Sequence, residues 1–297
     1  MKLSTGVNNL GGKDRLENMD IAYEAGFRHF DYSFGEYRTN SGFYADYEGH
    51  MKRIKAKMAE LGVDFVLSHA PSGKPFRSDE DWKLVMDVTK VCLRACHELN
   101  IPATVAHSGY VANISKEECF ERNRKFYREI LAEAEKYGIF VLVENYDKMV
   151  REDTYWIDNA PDLRDMVDYI DHPLCRACWD AGHANLQEMP QHEALALLGD
   201  RVMATHIQDN KGDKDTHLYP YYGTLNLDSL MQGLTNIGYK GTFNFETAMM
   251  FTEPKKRRPF DGEQKLVEVP RSVRLASQKM LYEIGKTTLQ AYDLFED

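Results

Sequence analysis

The chain has 297 residues, of which 43% are hydrophobic and 28% are charged, as in ordinary globular proteins. No apolar run approaches the roughly 20 residues of a membrane span, and the N-terminus lacks the apolar core of a secretory signal. The 37 basic residues against 47 acidic ones give a net charge of −10, which disfavours nucleic acid as a partner. Five cysteines, an odd number, favour reduced thiols over a disulfide framework. We therefore expect a cytoplasmic protein that binds neither membranes nor nucleic acid.

Strands and helices are predicted to alternate along the chain. Short apolar runs predict strands, and amphipathic runs, several of them followed by glycine, predict helices. The predicted strands are Lys2–Val7, Arg28–Ser33, Asp64–Ser68, Ala103–Ala106, Ile139–Val143, Arg176–Trp179, the run that ends at His206, and Gly241–Phe245. The predicted helices are Arg15–Ala25, Lys52–Leu61, Asp79–Leu99, Lys116–Tyr137, Asp162–Tyr169, Gln191–Leu198, Leu227–Ile237 and a closing helix Lys265–Glu296, interrupted near Pro270.

This alternation implies right-handed crossovers between parallel strands. Eight repeats within 297 residues favour a closed cylinder over an open sheet, because such barrels commonly take about 250 residues or more. No GxGxxG motif follows the first strand, which counts against a dinucleotide-binding sheet. The sequence predicts an α/β protein with one (β/α)8 TIM-barrel domain over residues 1–297 and a C-terminal helical extension.

Two loops have unusual compositions. The loop from Phe34 to Tyr47 holds five aromatic residues, which could form a substrate-facing flap or simply pack against one another on the surface. The basic run Lys255–Arg258, KKRR, is more typical of a solvated loop than of a phosphate clamp. Neither loop is assigned a function from its composition alone.

Acidic and imidazole side chains stand where the predicted strands end, and the strand ends of such a barrel converge on one face. The set comprises His69, His107, Glu144, Asp180, His183, His206, Asp215, His217 and Glu246. A carboxylate directly after an apolar run, as at Glu144 and Glu246, is costly to bury unpaired and needs a positive partner. The simplest partner is a divalent metal ion. A mixed set of oxygen and nitrogen donors suits Mn²⁺, Zn²⁺, Mg²⁺ or Co²⁺.

Four motifs carry a family resemblance. VLVEN, CWDAGHAN, THIQDN with the later DTH, and FNFET, in this order, resemble the xylose isomerase-like superfamily of sugar isomerases, sugar epimerases and endonuclease IV-type enzymes. The resemblance spans nearly the whole predicted barrel. It implies a metal-binding quartet of Glu144, Asp180, His206 and Glu246. It also implies that His183 contacts the substrate or a further metal ion.

The resemblance further implies a metal-dependent isomerase or epimerase that acts on a small-molecule sugar or sugar phosphate, with Mn²⁺ or Zn²⁺ expected and Mg²⁺ or Co²⁺ as alternatives. A proton would move next to a carbonyl through an enediolate, with Glu144 and Glu246 as acid and base. The expected substrate contacts are His183, His69, His107, Tyr110, Trp179, His217 and Lys211. Trp179 could instead face the helices, and Lys211 could be a solvated loop charge. Homodimers and homotetramers are common in the families resembled, so either is expected here.

Two other functions stay open. All nine strand-end positions also match the pattern by which endonuclease IV-type apurinic/apyrimidinic endonucleases hold a trinuclear zinc site. The net charge of −10 and the scarcity of basic runs count against DNA, because DNA affinity rests on several phosphate-neutralising cations. A C-glycoside-processing or sugar-binding relative without isomerase activity is the third reading. Sugar chemistry is favoured over DNA cleavage.

Overall fold

Eight parallel strands form one sheet in the computed structural model of the protein. The structure describes residues 1–8, 10, 14–35, 42–147, 154–247, 258–263, 265–266 and 268–296. The strands are β1 (Leu3–Gly6), β2 (His29–Ser33), β3 (Asp64–His69), β4 (Ala103–Val105), β5 (Phe140–Glu144), β6 (Cys175–Asp180), β7 (Val202–His206) and β8 (Phe243–Phe245). Each strand pairs with its neighbours in chain order up to β7, and β8 pairs with β1.

Short contacts between β7 and β8 bring the two edges of the sheet together. The backbone N–H of Ile207 donates to the carbonyl of Asn244 at 2.7 Å, and the N–H of Glu246 donates to the carbonyl of Ile207 at 3.1 Å. A parallel bridge joins Ile207 and Phe245. The expected (β/α)8 barrel is therefore confirmed.

Helices connect the strands on the outside of the barrel. They are α1 (Arg15–Ala25), α2 (Gly42–Ala45), α3 (Tyr47–Leu61), α4 (Asp79–Glu98), α5 (Lys116–Ala134), α6 (Ala160–Ile170), α7 (Ala181–Ala184), α8 (Gln191–Leu198), α9 (Leu227–Asn236) and α10 (Arg271–Gln290). Several begin after a side chain that accepts a hydrogen bond from a first-turn N–H, which satisfies a donor left unpaired by the helix itself. These capping residues are Asp14, Ser78, Ser115, Asn159 and Asn226.

The closing helix begins later than the sequence predicts. It starts at Arg271 and not at Lys265, because the residue before a proline is disfavoured in helical conformation and Pro270 therefore marks the start.

In the aromatic loop, Phe34 and Phe43 are buried and their rings meet edge to face at 5.3 Å. Packing of the loop by its own aromatics is thus what the described residues show. Residues 36–41 and 255–257, which include most of the KKRR run, lie outside the described residues.

The interior of the barrel is layered with a period of two residues along each strand. An apolar layer fills it, made of Leu67, Ala103, Val105, Leu142, Cys178 and Ala204. Successive side chains of a strand point to opposite faces, so the residue two positions further on also points inwards. Counted from the last residue of the layer on each of β3 to β7, the residues in that position are His69, His107, Glu144, Asp180 and His206. The strand-end residues therefore lie directly above the apolar layer, at the mouth of the barrel.

The described helices offer no segment that is both long enough and apolar enough to cross a membrane. The last of them, α10, packs against α1 and, at Gly285, against side chains of β1 and β8 on the outside of the barrel. A Cβ atom at this position would lie 2.7 Å from Leu3 Cδ2 and 2.8 Å from Phe245 Cε2, closer than real carbon contacts. Leu3 and Phe245 are themselves buried, so neither can move freely.

We expect Gly285→Val to lower the free energy of unfolding by about 1–3 kcal/mol, the usual cost of overpacking a filled core. Chemical denaturation followed by circular dichroism measures the change. Thr287→Val places the same side chain on the exposed face of α10, and we expect a change within about 0.5 kcal/mol. Equal stability of the two variants would show that α10 is not packed as described.

Candidate functional site

Four side chains delivered by four strands meet at the mouth of the barrel. We call His69, Glu144, His206 and Glu246 the central group: one potential ligand atom of each lies within 4.8 Å of all the others. His206 Nδ1 contacts Glu144 Oε1 and lies 3.4 Å from Glu246 Oε2. His69 Nε2 lies 3.4 Å from Glu246 Oε1, and the two imidazole rings stack with their centroids 4.5 Å apart. Two glutamates that are distant in sequence therefore face one small volume.

Asp180 adjoins the central group from the end of β6. Its carboxylate, Glu144 and His183 also bring ligand atoms within 4.8 Å of one another. Asp180 Oδ1 accepts hydrogen bonds from the His183 backbone N–H at 2.6 Å and from Gln208 Nε2 at 3.2 Å. The Asn145 side chain donates to the backbone carbonyl of Asp180 at 2.9 Å and accepts from its N–H at 2.8 Å. The end of β6 is thereby held in place against the end of β5.

The loop after β7 adds Asp215 and His217, which form a further group with His183. His217 Nε2 lies 2.9 Å from Asp215 Oδ2, and His183 Nε2 lies 3.5 Å from the same oxygen. His217 Nδ1 donates to the backbone carbonyl of Glu246 at 2.7 Å. This hydrogen bond ties the β7 loop to the end of β8.

The carboxylates and imidazoles of the site shift each other's pKa values. Burial opposes ionisation of Glu144, but the charge of His206 and a hydrogen bond from His107 hold its pKa well below the usual value. Burial opposes protonation of His206, yet its acidic neighbours, Glu144 and Glu246 among them, raise its pKa well above the usual value. Burial raises the pKa of Asp180 to about 7, and the same two glutamates act in that direction. The site as a whole stabilises positive charge.

This donor set fits a divalent cation. Asp180 Oδ2 and His69 Nε2 are buried and have no hydrogen-bond partner within the described part of the chain, although buried polar atoms normally have one. A cation would satisfy such atoms and offset the repulsion between the clustered carboxylates. Three members of the predicted quartet, Glu144, His206 and Glu246, lie in the central group, and Asp180 joins them through Glu144. The quartet itself stays a prediction.

Trp179 lies away from the mouth, which corrects the expected substrate contact. Its side chain is 1% exposed and its Nε1 donates to Gln191 Oε1 on α8 at 2.8 Å. Because Cys178 belongs to the inner apolar layer, its neighbour Trp179 must point outwards, into the helices. Lys211 is exposed on the loop after β7, and its contact with a substrate stays a prediction.

His107 and Tyr110 lie at the mouth on the β4 side. His107 Nε2 is 3.0 Å from Glu144 Oε2. The Tyr110 ring meets the Trp156 ring edge to face at 4.7 Å, and Trp156 stacks on Tyr146 at 4.4 Å. Tyr146 and Trp156 were not expected here, although Tyr146 directly follows the VLVEN motif, a position that could have suggested a place at the rim.

Asp31 is the main residue that the sequence prediction missed. It lies on β2 inside the barrel, 3% exposed, with Oδ2 at 3.4 Å from His69 Nδ1 and 3.6 Å from His206 Nε2. Asn244 Nδ2 donates to the same oxygen at 2.9 Å. The sequence does show a charged residue in the middle of the apolar run HFDYS, which could have indicated a functional role. Asp31 stands before the end of the strand, however, whereas the predicted ligands all stand at or after strand ends.

Gln208 was also missed. Its side-chain amide donates to Asp180 Oδ1 at 3.2 Å and to Asp215 Oδ1 at 2.9 Å, so it links two of the donor groups. Gln208 is fully buried in the polar stretch THIQDN, in which His206 is the more obvious potential ligand.

Comparison with known protein families shows which family the chain belongs to. The family model described as xylose isomerase-like TIM barrel matches residues 19–264, which include β2 to β8 and the whole central group. The chain belongs to this family.

Individual relatives are more distant. Fructoselysine 3-epimerase of Escherichia coli O157:H7 is 25% identical over 217 residues, covering 70% of this chain and 77% of that protein. The solved structure of a D-tagatose 3-epimerase-like protein has a TM-score of 0.75 at 20% identity, with 99% of this chain and 98% of that chain covered. The AP endonuclease, family 2, of Brucella melitensis has a TM-score of 0.68 at 20% identity, with coverages of 84% and 94%. At such identities the two structural matches show the shared fold alone.

We expect the affinity of the protein for Mn²⁺ or Zn²⁺ to rise with pH, because protons compete with the cation for its ligands. Burial raises the pKa of Asp180 to about 7. Burial opposes protonation of His206, but its acidic neighbours raise its pKa well above the usual value, so this ligand also has to lose a proton before it can bind a cation. Affinity should therefore increase through pH 7 and continue to rise above it. Calorimetry in buffers of different ionisation enthalpy measures the affinity and the protons released, and an affinity that falls over this range contradicts the assignment.

Proposed function

We propose that the protein is a metal-dependent sugar epimerase or isomerase that moves a proton next to the carbonyl of its substrate. Family membership and the fructoselysine 3-epimerase relative support the coarser statement that it is a sugar-acting epimerase or isomerase. The observation that carries the proposal is the meeting of Glu144 and Glu246 in the central group. Their strands, β5 and β8, are separated by β6 and β7 around the barrel, so the two carboxylates approach from different directions.

The cation would be held by Glu144, Asp180, His206 and Glu246, the quartet implied by the family resemblance. When bound, it would supply a fixed positive charge that polarises a carbonyl and stabilises negative charge on its oxygen. His69 offers a further donor atom next to the quartet. Side chains of the protein would carry out the proton transfers.

The two glutamates suit the roles of proton acceptor and proton donor. Burial works against the ionisation of both glutamates, but the neighbouring imidazoles lower the pKa of each, and His206 has the largest lowering effect on both. Both side chains are therefore carboxylates at neutral pH and can accept a proton from carbon. Epimerisation follows when one glutamate removes the proton from one face of the substrate and the other returns a proton to the opposite face. Return on the same face, to the adjoining carbon, gives isomerisation.

His183 is suited to hold an oxygen of the substrate. Its Nδ1 donates to the backbone carbonyl of Asn145 at 2.8 Å, which sets the orientation of the ring. Burial opposes its protonation, but Asp180 and Asp215 raise its pKa well above the usual value. The protonated ring can therefore donate from Nε2 to a substrate oxygen near Asp215.

Phosphodiester cleavage is the second candidate. A specific observation favours it: His183, Asp215 and His217 form a donor group beside the central group, as the trinuclear zinc pattern requires. Against it stands the net charge of −10, since a DNA-binding surface must neutralise several phosphates. The number of bound ions separates the two functions.

We expect the purified protein to exchange the carbon-bound proton of at least one unphosphorylated ketohexose with solvent deuterium, as followed by NMR. Treatment with a chelator should abolish the exchange, and Mn²⁺ or Zn²⁺ added separately should restore it, because the carbonyl is then polarised again.

Three results would count against this expectation. Cleavage of an abasic-site duplex, together with three metal ions per chain by elemental analysis, would favour the nuclease. Ligand binding without exchange or cleavage would favour a sugar-binding relative. Exchange that persists without metal would refute the metal dependence.

We also expect Glu144→Gln and Glu246→Gln each to lower epimerisation by at least about 10²-fold, since each removes one of two acid–base groups. Metal content and circular dichroism of each variant separate loss of the proton acceptor from loss of the ion or of the fold. Glu193→Gln, on the exposed face of α8, serves as the control and should keep full activity. Normal epimerisation by either site variant would remove that glutamate from the mechanism.

A further inference from the structure

The layer of side chains beneath the mouth is apolar on one part of the barrel and polar on the other. Strands β3 to β7 contribute the apolar residues described above. Strands β8, β1 and β2 contribute Asn244, Ser4 and Asp31, all of them buried. Asp31 is paired in register with Leu67 of the apolar layer, so both side chains point into the barrel at one level. A carboxylate at this depth is costly unless it has partners, and its partners indicate its role.

Two hydrogen bonds in series hold Asp31 from the side of β1 and β8. The Ser4 hydroxyl donates to Asn244 Oδ1 at 2.8 Å, and Asn244 Nδ2 donates to Asp31 Oδ2 at 2.9 Å. Because Ser4 donates to the oxygen of the Asn244 amide, the nitrogen of that amide is directed to Asp31. β8 pairs with β1 and β1 pairs with β2, so the three residues stand on adjacent strands. Neutral side chains therefore fix the position of the carboxylate.

The same carboxylate oxygen faces two imidazoles of the central group. Asp31 Oδ2 lies 3.4 Å from His69 Nδ1 and 3.6 Å from His206 Nε2. The two rings stack with an angle of 18° between their planes, which places both nitrogens on the side of Asp31. The other nitrogen of each ring lies 3.4 Å from a carboxylate oxygen of Glu246. Asp31 thus stands behind the rings, and the groups of potential metal ligands among the described residues do not include it.

This position favours one arrangement of hydrogens on both rings. At 3.4 and 3.6 Å the contacts are longer than ordinary hydrogen bonds, so the carboxylate acts mainly through its charge. An ionised carboxylate only accepts hydrogen bonds, and its charge favours a hydrogen on the nearer nitrogen of each ring. A neutral imidazole carries one N–H hydrogen, so the far nitrogen keeps the lone pair that a cation requires.

We propose that Asp31 is a positioning residue that acts through His69 and His206. It keeps a hydrogen on the ring nitrogens that face it, and it thereby leaves His206 Nδ1 and His69 Nε2 free to bind a divalent cation among the glutamates. The inference rests on the proposed function, because it requires a cation in the central group. One carboxylate on β2 in this way prepares donors from β3 and β7 together.

A purely structural role for Asp31 leads to a different expectation. If the carboxylate served only to pair with Asn244, its replacement would change the stability of the fold and leave the affinity for a cation unchanged. Metal affinity therefore separates the two roles, and it can be measured without any substrate.

The test is calorimetric titration of the metal-stripped protein with Mn²⁺. Asp31→Asn keeps the shape of the side chain and an oxygen that can accept from Asn244, but it removes the charge. We expect it to bind Mn²⁺ about 10–100-fold more weakly, the usual effect of losing a group that orients metal ligands. Circular dichroism checks the fold. The matched control is Asp162→Asn, since Asp162 is also buried but is paired with Lys116 on the helices. It should bind Mn²⁺ as the unsubstituted protein does.

An exchanged variant places the charge elsewhere in the same network. Asp31→Asn combined with Asn244→Asp retains one carboxylate and a possible hydrogen bond between positions 31 and 244, but residue 31 then separates the charge from the imidazoles. We expect this variant to bind Mn²⁺ as weakly as Asp31→Asn does. Recovery of the original affinity would show that any buried charge in the layer suffices, which would overturn the action through His69 and His206.

The remaining outcomes separate this inference from the proposed function. Unchanged Mn²⁺ affinity in Asp31→Asn would overturn the role of Asp31 alone. If that variant does not fold, Asn244→Ala removes the donor that holds Asp31 and should weaken Mn²⁺ binding about 10-fold, and unchanged affinity there would overturn the inference equally. Failure of the unsubstituted protein to bind Mn²⁺ or Zn²⁺ would overturn both the inference and the metal dependence of the proposed function.

Discussion

The structure depends on the burial of several carboxylates at the end of apolar strands. Glu144 is 2% exposed and Asp180 fully buried, yet both stand among other acids. Removing such charges from water costs several kcal/mol each unless positive partners and hydrogen bonds compensate. Imidazoles of the central group supply part of this compensation, and the site has the donors to add a cation. An arrangement that would be costly in a structural core therefore forms a group of side chains that fits a divalent cation.

Neutral side chains hold these charges in position. Asn145 exchanges hydrogen bonds with the backbone of Asp180, Gln208 joins Asp180 to Asp215, and Asn244 supports Asp31. Mutation of groups that orient metal ligands typically lowers metal affinity or activity by about 10–100-fold. The amides therefore belong to the site as much as the acids, and they bring residues of different strands into a single network.

The family to which the chain belongs shows why the donor set does not by itself decide the reaction. Its relatives include sugar epimerases by name and an AP endonuclease with the same fold. A fold supports many reactions, and the residues around the donor set decide which of them takes place. In this chain the surroundings include the stacked aromatic pair Tyr146 and Trp156 at the mouth of the barrel.

The sequence by itself determined the eight strand–helix repeats and the strand-end acids and histidines, because period, capping and helix stops are local properties of the chain. It could not determine which way Trp179 points, since a shift of one residue in strand register turns a side chain to the opposite face. It also missed Asp31. The partner of this residue, Asn244, comes from the far end of the chain and reaches Asp31 only when β8 pairs with β1. Only the closed barrel decided those contacts, because the closing of a sheet is a property of all its strands together.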